Sequence, residues 1–207
     1  HVATTGSDET GSGSEDNPLR SIQAGVDAAG QGDTISVKKG IYFENVILNK
    51  KDIVVLGESK DSTIVDGQNL GSVFTLENPT SNNNDVCTIE NFTIQNGFAS
   101  GGGGIRVEYF SPRLINLNVI NNNAGNEGGG IQCSNGSPTL DGLFIAGNHA
   151  SYAGGGIYLE NQAHLTISNS TIVNNSANIY GGGIQVHGVS AAEFTNCILW
   201  NNSTEWN

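Results

Sequence analysis

The amino-acid sequence predicts an all-β protein whose single chain winds as a parallel β-helix of about seven turns. The tetrapeptide Gly-Gly-Gly-Ile occurs four times, and the intervals between its isoleucines are 26, 26 and 27 residues. Apolar and polar residues alternate in runs of three to five, as they do in short strands. No sustained helical period follows Asp52. We therefore expect stacked turns of three strands each, with one file of isoleucines along the stack: Ile105, Ile131, Ile157 and Ile184.

The first 32 residues differ from the repeats and predict an arm followed by a short capping helix. Asn17 is the predicted N-cap and Pro18 the first helical residue, because a proline at that position loses no hydrogen bond. A helix of about twelve residues would end at Gly30, since glycine is favoured just after helices. Its apolar face would cover the open core of the first turn: Leu19, Ile22, Val26 and Ala29.

Residues 33–84 predict the first, irregular turns. Six segments rich in β-branched residues are predicted strands: Thr34–Val37, Ile41–Phe43, Val46–Leu48, Ile53–Leu56, Thr63–Val65 and Val73–Leu76. The polar run Asn78–Asn84 is predicted to be a loop. No stretch resembles a linker, so residues 1–207 are predicted to form a single domain.

Residues 85–207 predict regular turns of about 26 residues. Asparagine recurs at two repeat positions, where it tolerates left-handed backbone geometry and can bond from turn to turn. One column is Asn96, Asn122, Asn148, Asn175 and Asn202; the other is Asn91, Asn116, Asn169 and Asn196, interrupted by Gly142. The glycine triplets predict corners with positive φ and close backbone approach. The predicted structural glycines are Gly103, Gly104, Gly129, Gly130, Gly155, Gly156, Gly182 and Gly183.

Composition limits the classes of partner. The net charge is −12, and all eight basic residues lie at or before Arg113. This balance disfavours binding to nucleic acid and to anionic membrane surfaces, and the predicted helix is too short to insert into a bilayer. The chain contains no methionine, so we expect a processed or trimmed chain. High Gly, Asn, Ser and Thr contents favour a secreted or cell-surface location. The three cysteines lie in different apolar columns and are expected to be free thiols.

Two parts of the chain resemble known proteins. The segment GSDETGSGSEDNPLRSIQAGVDAAGQGDTISVKKGIYFENVIL, at residues 6–48, resembles the start of right-handed parallel β-helix proteins of the pectate-lyase-like superfamily. The Gly-Gly-Gly-Ile copies resemble repeats of bacterial surface β-helices, including polymorphic outer-membrane proteins. The resemblance implies a right-handed coil outside the cell. It leaves function open, because that superfamily includes lyases, glycoside hydrolases, adhesins and structural proteins.

One outward-facing surface is the candidate ligand-binding site. The position after each triplet isoleucine is occupied by Arg106, Gln132, Tyr158 and Gln185. The position two residues further on is occupied by Glu108, Ser134, Glu160 and His187. Planar, charged and aromatic groups of this kind could bind a sugar chain that runs along the helix axis.

We assign no catalytic residue, because no motif matches a known catalytic set. If this face were catalytic, the residues would be Arg106, Glu108 and Glu160. Arg106 would act as the base of a Ca²⁺-dependent polysaccharide lyase, or the two glutamates, roughly 9–10 Å apart, would serve a glycoside hydrolase. No metal ligand set is predicted and no cofactor is expected. Ca²⁺ is the one cofactor left open, and the nearest candidate for it is the acidic loop of Asp8, Glu9, Glu15 and Asp16.

The last predicted turn has no capping element, so its apolar interior should be exposed. The chain is therefore expected to be either a fragment of a longer β-helix or a unit that stacks end to end on copies of itself, in the extreme as a filament. We favour a non-catalytic extracellular β-helix with a structural, adhesive or self-assembling role. The alternatives are a polysaccharide lyase, another carbohydrate-active enzyme and a non-catalytic polysaccharide-binding module.

Overall fold

The computed structural model describes residues 1–49, 51–78 and 87–205. The fold is an all-β parallel solenoid with six complete turns and part of a seventh, as predicted. The first two turns hold three strands each: β1 (Thr34–Val37), β2 (Gly40–Phe43), β3 (Val46–Asn49), β4 (Val54–Gly57), β5 (Thr63–Asp66) and β6 (Phe74–Glu77). The next two hold four each: β7 (Thr88–Glu90), β8 (Thr93–Gln95), β9 (Phe98–Gly101), β10 (Ile105–Glu108), β11 (Arg113–Ile115), β12 (Asn118–Ile120), β13 (Asn123–Glu127) and β14 (Ile131–Ser134).

The pattern continues to the end of the described chain. The fifth and sixth turns contain β15 (Thr139–Asp141), β16 (Phe144–Ala146), β17 (His149–Ala150), β18 (Ile157–Glu160), β19 (His164–Ser168), β20 (Thr171–Val173), β21 (Ser176–Ala177) and β22 (Ile184–Val186). The partial seventh turn contains β23 (Ala191–Thr195), β24 (Ile198–Trp200) and β25 (Ser203–Thr204).

The strands stack into four parallel sheets along the axis. Sheet A has the order β1-β4-β7-β11-β15-β19-β23, and sheet B has β2-β5-β8-β12-β16-β20-β24. Sheet C contains β3, β6, β10, β14, β18 and β22, and sheet D contains β9, β13, β17, β21 and β25. The sequence predicted only three strands per turn. The fourth, in sheet D, was missed because runs as short as His149–Ala150 are too brief to show alternation.

The core is one continuous apolar column that runs from the arm to the sixth turn. The four triplet isoleucines pair in register, Ile105 with Ile131, Ile131 with Ile157, and Ile157 with Ile184. The first three are essentially inaccessible to solvent. The predicted vertical file is therefore confirmed. It arises because a repeat of one turn places equivalent residues one strand spacing apart, about 4.8 Å.

The amino-terminal helix is shorter than predicted. Helix α1 spans Ile22–Ala28, with Ser21 as its N-cap and Ala29 as its C-cap. The prediction of Asn17 as the cap and of Gly30 as the end is wrong, because Pro18 and Leu19 bond to the arm instead. The Ser7 N–H donates to Pro18 O, and the Leu19 N–H donates to His1 O.

The arm and α1 together seal the first turn. Val2 pairs in parallel with Val37 at the edge of β1 and is fully buried. Ile22 and Val26 face the same core, and a Cβ on Gly25 would lie 2.8 Å from a Val2 methyl group. The predicted capping role of the helix follows from these contacts. No helix of the described chain is long and apolar enough to cross a membrane.

The six strands predicted in residues 33–77 all occur, with ends that shift by one residue at most. The predicted loop Asn78–Asn84 lies outside the described residues except for Asn78, which is buried.

Candidate functional site

The glycine triplets form the corner between sheets D and C. The first glycine of each triplet has a positive φ, 64° at Gly102 and 67° at Gly128 and Gly154. The second and third glycines lie against the backbone of neighbouring turns. A Cβ on Gly129 would be 2.3 Å from His149 O, and one on Gly130 would be 2.6 Å from Gly156 O. Positive φ is therefore a property of the first glycine, and close approach to a neighbouring turn is a property of the second and third. The same close approach to backbone occurs at Gly103, Gly104, Gly155, Gly156 and Gly182, whereas a Cβ on Gly183 would meet the side chain of Asn202, at 2.9 Å.

A ladder of buried asparagines lines the corner between sheets B and D. The Nδ2 group of Asn122 donates to Asn148 Oδ1 at 3.1 Å, and that of Asn148 donates to Asn175 Oδ1 at 2.9 Å. Asn175 continues the ladder to Asn202 at 3.0 Å. Each Oδ1 also accepts the backbone N–H of the asparagine one turn before. These amides are satisfied inside the protein, so they build the corner and are not presented to a ligand.

The assignment of Asn96 to this ladder is wrong. Gln95 pairs with Ile120, so Asn96 corresponds to Asn121, and Gly97 takes the ladder position. Gly97 still donates its N–H to Asn122 Oδ1. The third turn is one residue shorter than the next, and the sequence alignment placed that gap at the wrong point. The second predicted column has positive φ throughout: Asn91, Asn116, Gly142, Asn169 and Asn196.

The candidate ligand-binding face is the outer surface of sheet C. Register places Arg106 beside Gln132, Gln132 beside Tyr158, and Tyr158 beside Gln185. In the second column, Glu108 pairs with Ser134 and Ser134 with Glu160. His187 follows one turn later, where its N–H donates to Leu159 O. Each predicted face residue is thus brought onto one surface. Two are covered, since Tyr158 is only 4 % exposed and Ser134 is also buried.

Arg106 is held by two carboxylates. Its guanidinium lies 2.6 Å from Glu108 Oε2 and 3.5 Å from Glu77 Oε1. These two ion pairs commit the Arg106 guanidinium to joining Glu77 and Glu108. The geometry therefore gives no support to Arg106 as a lyase base. Glu108 is engaged in the same pair, and the strand register places Glu160 two turns away from it.

A shallow groove of about 250 Å³ runs between this face and the corner of sheet D. Arg106, Gln132, Glu127 and Ser100 line it. The Gln132 side chain reaches across the groove. On one side its Oε1 lies so close to Gly101 that an added Cβ there would be 2.3 Å away. On the other side its Nε2 donates to Glu160 Oε1 at 3.3 Å. The groove thus offers amide and carboxylate groups along the axis.

Glu127 belongs to this site and was missed in the sequence. Strand pairing places Glu127 in a column with one residue from each of three other turns, and the four residue types are unrelated: Gly101, Glu127, Ala153 and Tyr180. No repeat pattern could have found it. Burial raises the pKa of Glu127, and the nearby charge of Glu160 adds to that effect. Burial, with Glu127 and Glu160 nearby, raises the pKa of Tyr158 to about 12.

Aromatic side chains surround the same region. The Tyr158 and His187 rings stack with centroids 6.4 Å apart. Tyr152 and Tyr180 meet edge to face at 5.7 Å on the neighbouring ridge, and both are exposed. Neither Tyr152 nor Tyr180 was among the predicted site residues.

Within residues 1–49, 51–78 and 87–205, no group of three His, Cys, Asp or Glu side chains is placed to hold a metal ion. Two acids of the loop considered for Ca²⁺ have structural contacts instead. Asp8 Oδ1 accepts the N–H groups of Arg20 and Ser21, and Glu15 pairs with Lys38 at 2.9 Å.

Strand β22 and the partial seventh turn expose side chains at positions that point toward the core in earlier turns. Val186, Phe194 and Leu199 are 38 %, 44 % and 49 % exposed. Their partners one turn earlier, Leu159, Ile167 and Ile172, are fully buried. Together, Val186, Phe194 and Leu199 define what we call the open end face.

Comparison with models of protein families identifies the family of this chain. A family model described as a right-handed β-helix region matches residues 60–205, which is well over half of the chain. The comparisons with curated proteins and with solved structures found no match. The four-sheet parallel solenoid and this match agree, and the chain belongs to the right-handed β-helix family.

Proposed function

We propose that this chain is a non-catalytic extracellular β-helix that serves as a rigid structural or adhesive unit and associates through its open end face. The exposure of Val186, Phe194 and Leu199 carries the proposal. Apolar side chains on an open strand edge favour burial against a second β-helical surface, because edge pairing and apolar burial then act together. A second copy of the chain is the partner we propose.

Two further observations support a structural role. The single core column and the asparagine ladder couple every turn from the third to the seventh, which makes the solenoid stiff. The one arginine on the candidate face is committed to Glu77 and Glu108. The likeness to bacterial surface β-helices of the polymorphic outer-membrane type supports a location at the cell surface.

Sedimentation of the purified 207-residue chain over a range of concentrations tests this proposal. We expect reversible association, and we expect Leu199→Glu to abolish it, because a charge would then face a desolvated contact. Ile41→Glu is the matched control, since Ile41 is similarly exposed but lies at the opposite end of the solenoid. A chain that stays monomeric at every concentration would refute the proposal.

A second candidate function is binding of a glycan along sheet C. The groove beside Arg106 and Gln132, with Tyr152 and Tyr180 exposed next to it, favours this function. Such pockets combine aromatic surfaces with a few oriented polar groups. A glycan array would test it: binding that is lost on Gln132→Ala supports it, and the absence of any bound glycan excludes it.

A further inference from the structure

The outer surface of sheet B is apolar and uncharged in the second half of the solenoid. In β12, β16 and β20 the middle residue of each strand is fully buried, so the first and third residues point outward. Strand β24 continues the same register. The outward residues form what we call the sheet B strip: Asn118, Ile120, Phe144, Ala146, Thr171, Val173, Ile198 and Trp200. Six of these are apolar and none is charged, although the protein has a net charge of −12.

The largest side chains of the strip are open to solvent. Phe144, Ile198 and Trp200 are 41 %, 61 % and 71 % exposed, and the other five residues are half-buried. Phe144 and Trp200 lie two turns apart, so the strand register separates them by roughly 10 Å along the axis. The solvated face of a sheet is normally polar, and a contiguous apolar patch marks a contact surface. The strip therefore has the composition of a binding surface.

Rows of amide groups border the strip on both sides. The bordering residues all have positive φ, and they are Asn116, Gly142, Asn169 and Asn196 on one side and Asn121, Gly147, Asn174 and Asn201 on the other. The Nδ2 group of Asn196 donates to Asn169 Oδ1 at 3.0 Å, and that of Asn201 donates to Asn174 Oδ1 at 2.6 Å. A primary amide has two donor hydrogens and two acceptor positions, so these bonds leave further capacity for a ligand.

Size and charge select the class of ligand. The strip covers four strands of three residues each, an area of roughly 200 Å². A stable protein interface needs about 800 Å² from each partner, so the strip is too small to hold a second copy of the chain by itself. A charged polymer would lose hydration here without gaining an ion pair. An extended chain of uncharged sugars fits, because its rings have apolar C–H faces and its hydroxyl groups can bond to the bordering amides.

We propose that the sheet B strip binds an uncharged polysaccharide chain that lies along the solenoid axis. Sugar rings stack on Phe144 and Trp200, and sugar hydroxyl groups bond to the amide rows, in which Asn174 and Asn201 directly follow strands β20 and β24. Equivalent positions repeat in each turn, so one chain contacts four turns in succession. The site goes beyond the proposed structural role and does not depend on it. It is also distinct from the groove on sheet C.

Titration calorimetry with three hexasaccharides tests the class of ligand. Cellohexaose and N-acetylchitohexaose are uncharged and extended, whereas hexagalacturonate carries a carboxylate on every sugar. We expect at least one uncharged hexasaccharide to bind at least about tenfold more tightly than hexagalacturonate, because the strip offers no cation to a carboxylate. Binding of both uncharged probes would show that stacking suffices, and binding of one would assign the type of sugar. Both results support the proposal.

Alanine variants locate the binding. Phe144→Ala and Trp200→Ala should each weaken binding of the uncharged hexasaccharide by about tenfold or more, since each removes a stacking surface. Phe98→Ala removes a similarly exposed ring from sheet D and should change the affinity by less than about twofold. Gln132→Ala, on sheet C, should also change it by less than about twofold. Thermal unfolding of each variant checks that the fold is retained.

Three binding results would overturn the proposal: no binding of either uncharged hexasaccharide, equal binding of hexagalacturonate, or equal losses in Phe144→Ala and Phe98→Ala. A loss in Gln132→Ala without one in Phe144→Ala would also overturn it, and would place the sugar on sheet C as the second candidate function has it. Sedimentation of Val173→Asp tests the remaining occupant. Retained self-association supports a sugar on the strip, whereas a loss like that of Leu199→Glu would mean that a second copy covers it and would overturn the proposal.

Discussion

The second glycine of each triplet lies against the carbonyl groups of the adjacent turns. At Gly129, the nearest oxygens to an added Cβ would be at 2.3 and 2.5 Å, both from backbone. Backbone cannot move aside as a flexible side chain can. The spacing between turns therefore depends on the absence of a side chain at this position.

Replacing Gly129 by alanine should destabilise the protein by about 3 kcal/mol or more, because the clash forces two turns apart. Gly125→Ala is the control, since a Cβ there would meet only Ala99 O, at 3.7 Å. Urea denaturation of both variants measures the difference. Similar stabilities would mean that the corner can adjust, and the explanation of the triplets would be wrong.

Asn148 is the centre of the buried ladder and makes bonds in both directions. Its replacement by alanine removes partners from the Asn122 N–H and Nδ2 groups and from Val119 O. We expect a loss of about 2–4 kcal/mol in the free energy of unfolding, the usual cost of leaving buried polar groups unpaired.

Asn118→Ala serves as the control for the ladder. Asn118 is half-buried on the outside of sheet B and makes one side-chain bond, to Thr93 Oγ1. Its loss should cost about 1 kcal/mol or less. Equal costs for the two asparagines, measured by the same denaturant titration, would argue against a special role for the ladder.

At the scale of residues, sequence predicted the columns better than the site. Isoleucine, asparagine and glycine repeat because each satisfies the same geometric demand in every turn. No repeat position carries the same residue type in every turn at Glu127, Tyr152 or Tyr180. The repeat pattern therefore does not mark these residues. Their place beside the candidate face follows from the packing of sheets C and D, which only the folded structure shows.

Among the secondary-structure elements, α1 has an unusual N-terminus, because two carboxylates hold its backbone. Glu44 accepts the Ile22 and Gln23 N–H groups at 2.9 and 3.0 Å. Asp8 accepts those of the two residues before them. Burial raises the pKa of Glu44, and the charge of Asp8 contributes to the same shift. Asp8 of the arm and Glu44, which follows β2, thus fix the helix that seals the first turn.

The raised pKa of Glu44 predicts a particular pH dependence. The folded state favours protonated Glu44 more than the unfolded chain does, so its contribution to stability is full below the ordinary pKa of 4.5 and is lost as the pH rises through the raised value. The stability of the native protein relative to Glu44→Gln should therefore fall as the pH rises from below 4.5 through that raised value.

Asp66 provides a contrast of opposite sign. Burial alone would raise its pKa, but hydrogen bonds from Gln95, Gln68 and Asn96 outweigh burial and hold the pKa below its ordinary value. The stability of the native protein relative to Asp66→Asn should fall as the pH drops through that lowered value. Denaturation curves at several pH values check both signs. The same slope for both variants would contradict the assignments.

Elements were predicted well where strands alternate and poorly where a local signal competed with a long-range contact. The strands β1–β6 follow from β-branched runs bounded by turn residues. The helix start was misplaced because Asn17-Pro18 is a strong local N-terminal signal. The backbone of residues 18 and 19 bonds to the arm instead, and that pairing is not visible in the local sequence.

For the whole molecule, the two ends of the solenoid differ. The arm, α1 and the Ile47 N–H bond to Gln23 close the amino-terminal end. Among the described residues, the open end face is apolar and β22, β23 and β24 are the last strands of their sheets. The arm and α1 cover the other end of each molecule. A second copy can therefore pack against the open end face only through its own open end face.

This asymmetry predicts pairs of molecules with their open end faces together, not long fibres. A head-to-tail filament would require the arm and α1 to leave the first turn. Electron microscopy of the associated protein should show rods of twice the length of one solenoid. Fibres of many units would preserve self-association but would contradict the paired arrangement.

Hydrogen exchange of the last strands tests the central claim most directly, because it reports whether β22, β23 and β24 gain a partner. We expect their exposed amides to exchange quickly in dilute protein and to become protected as the concentration rises, while β14 and β18 stay protected throughout. Fast exchange in residues 184–204 at every concentration would contradict association through the open end face.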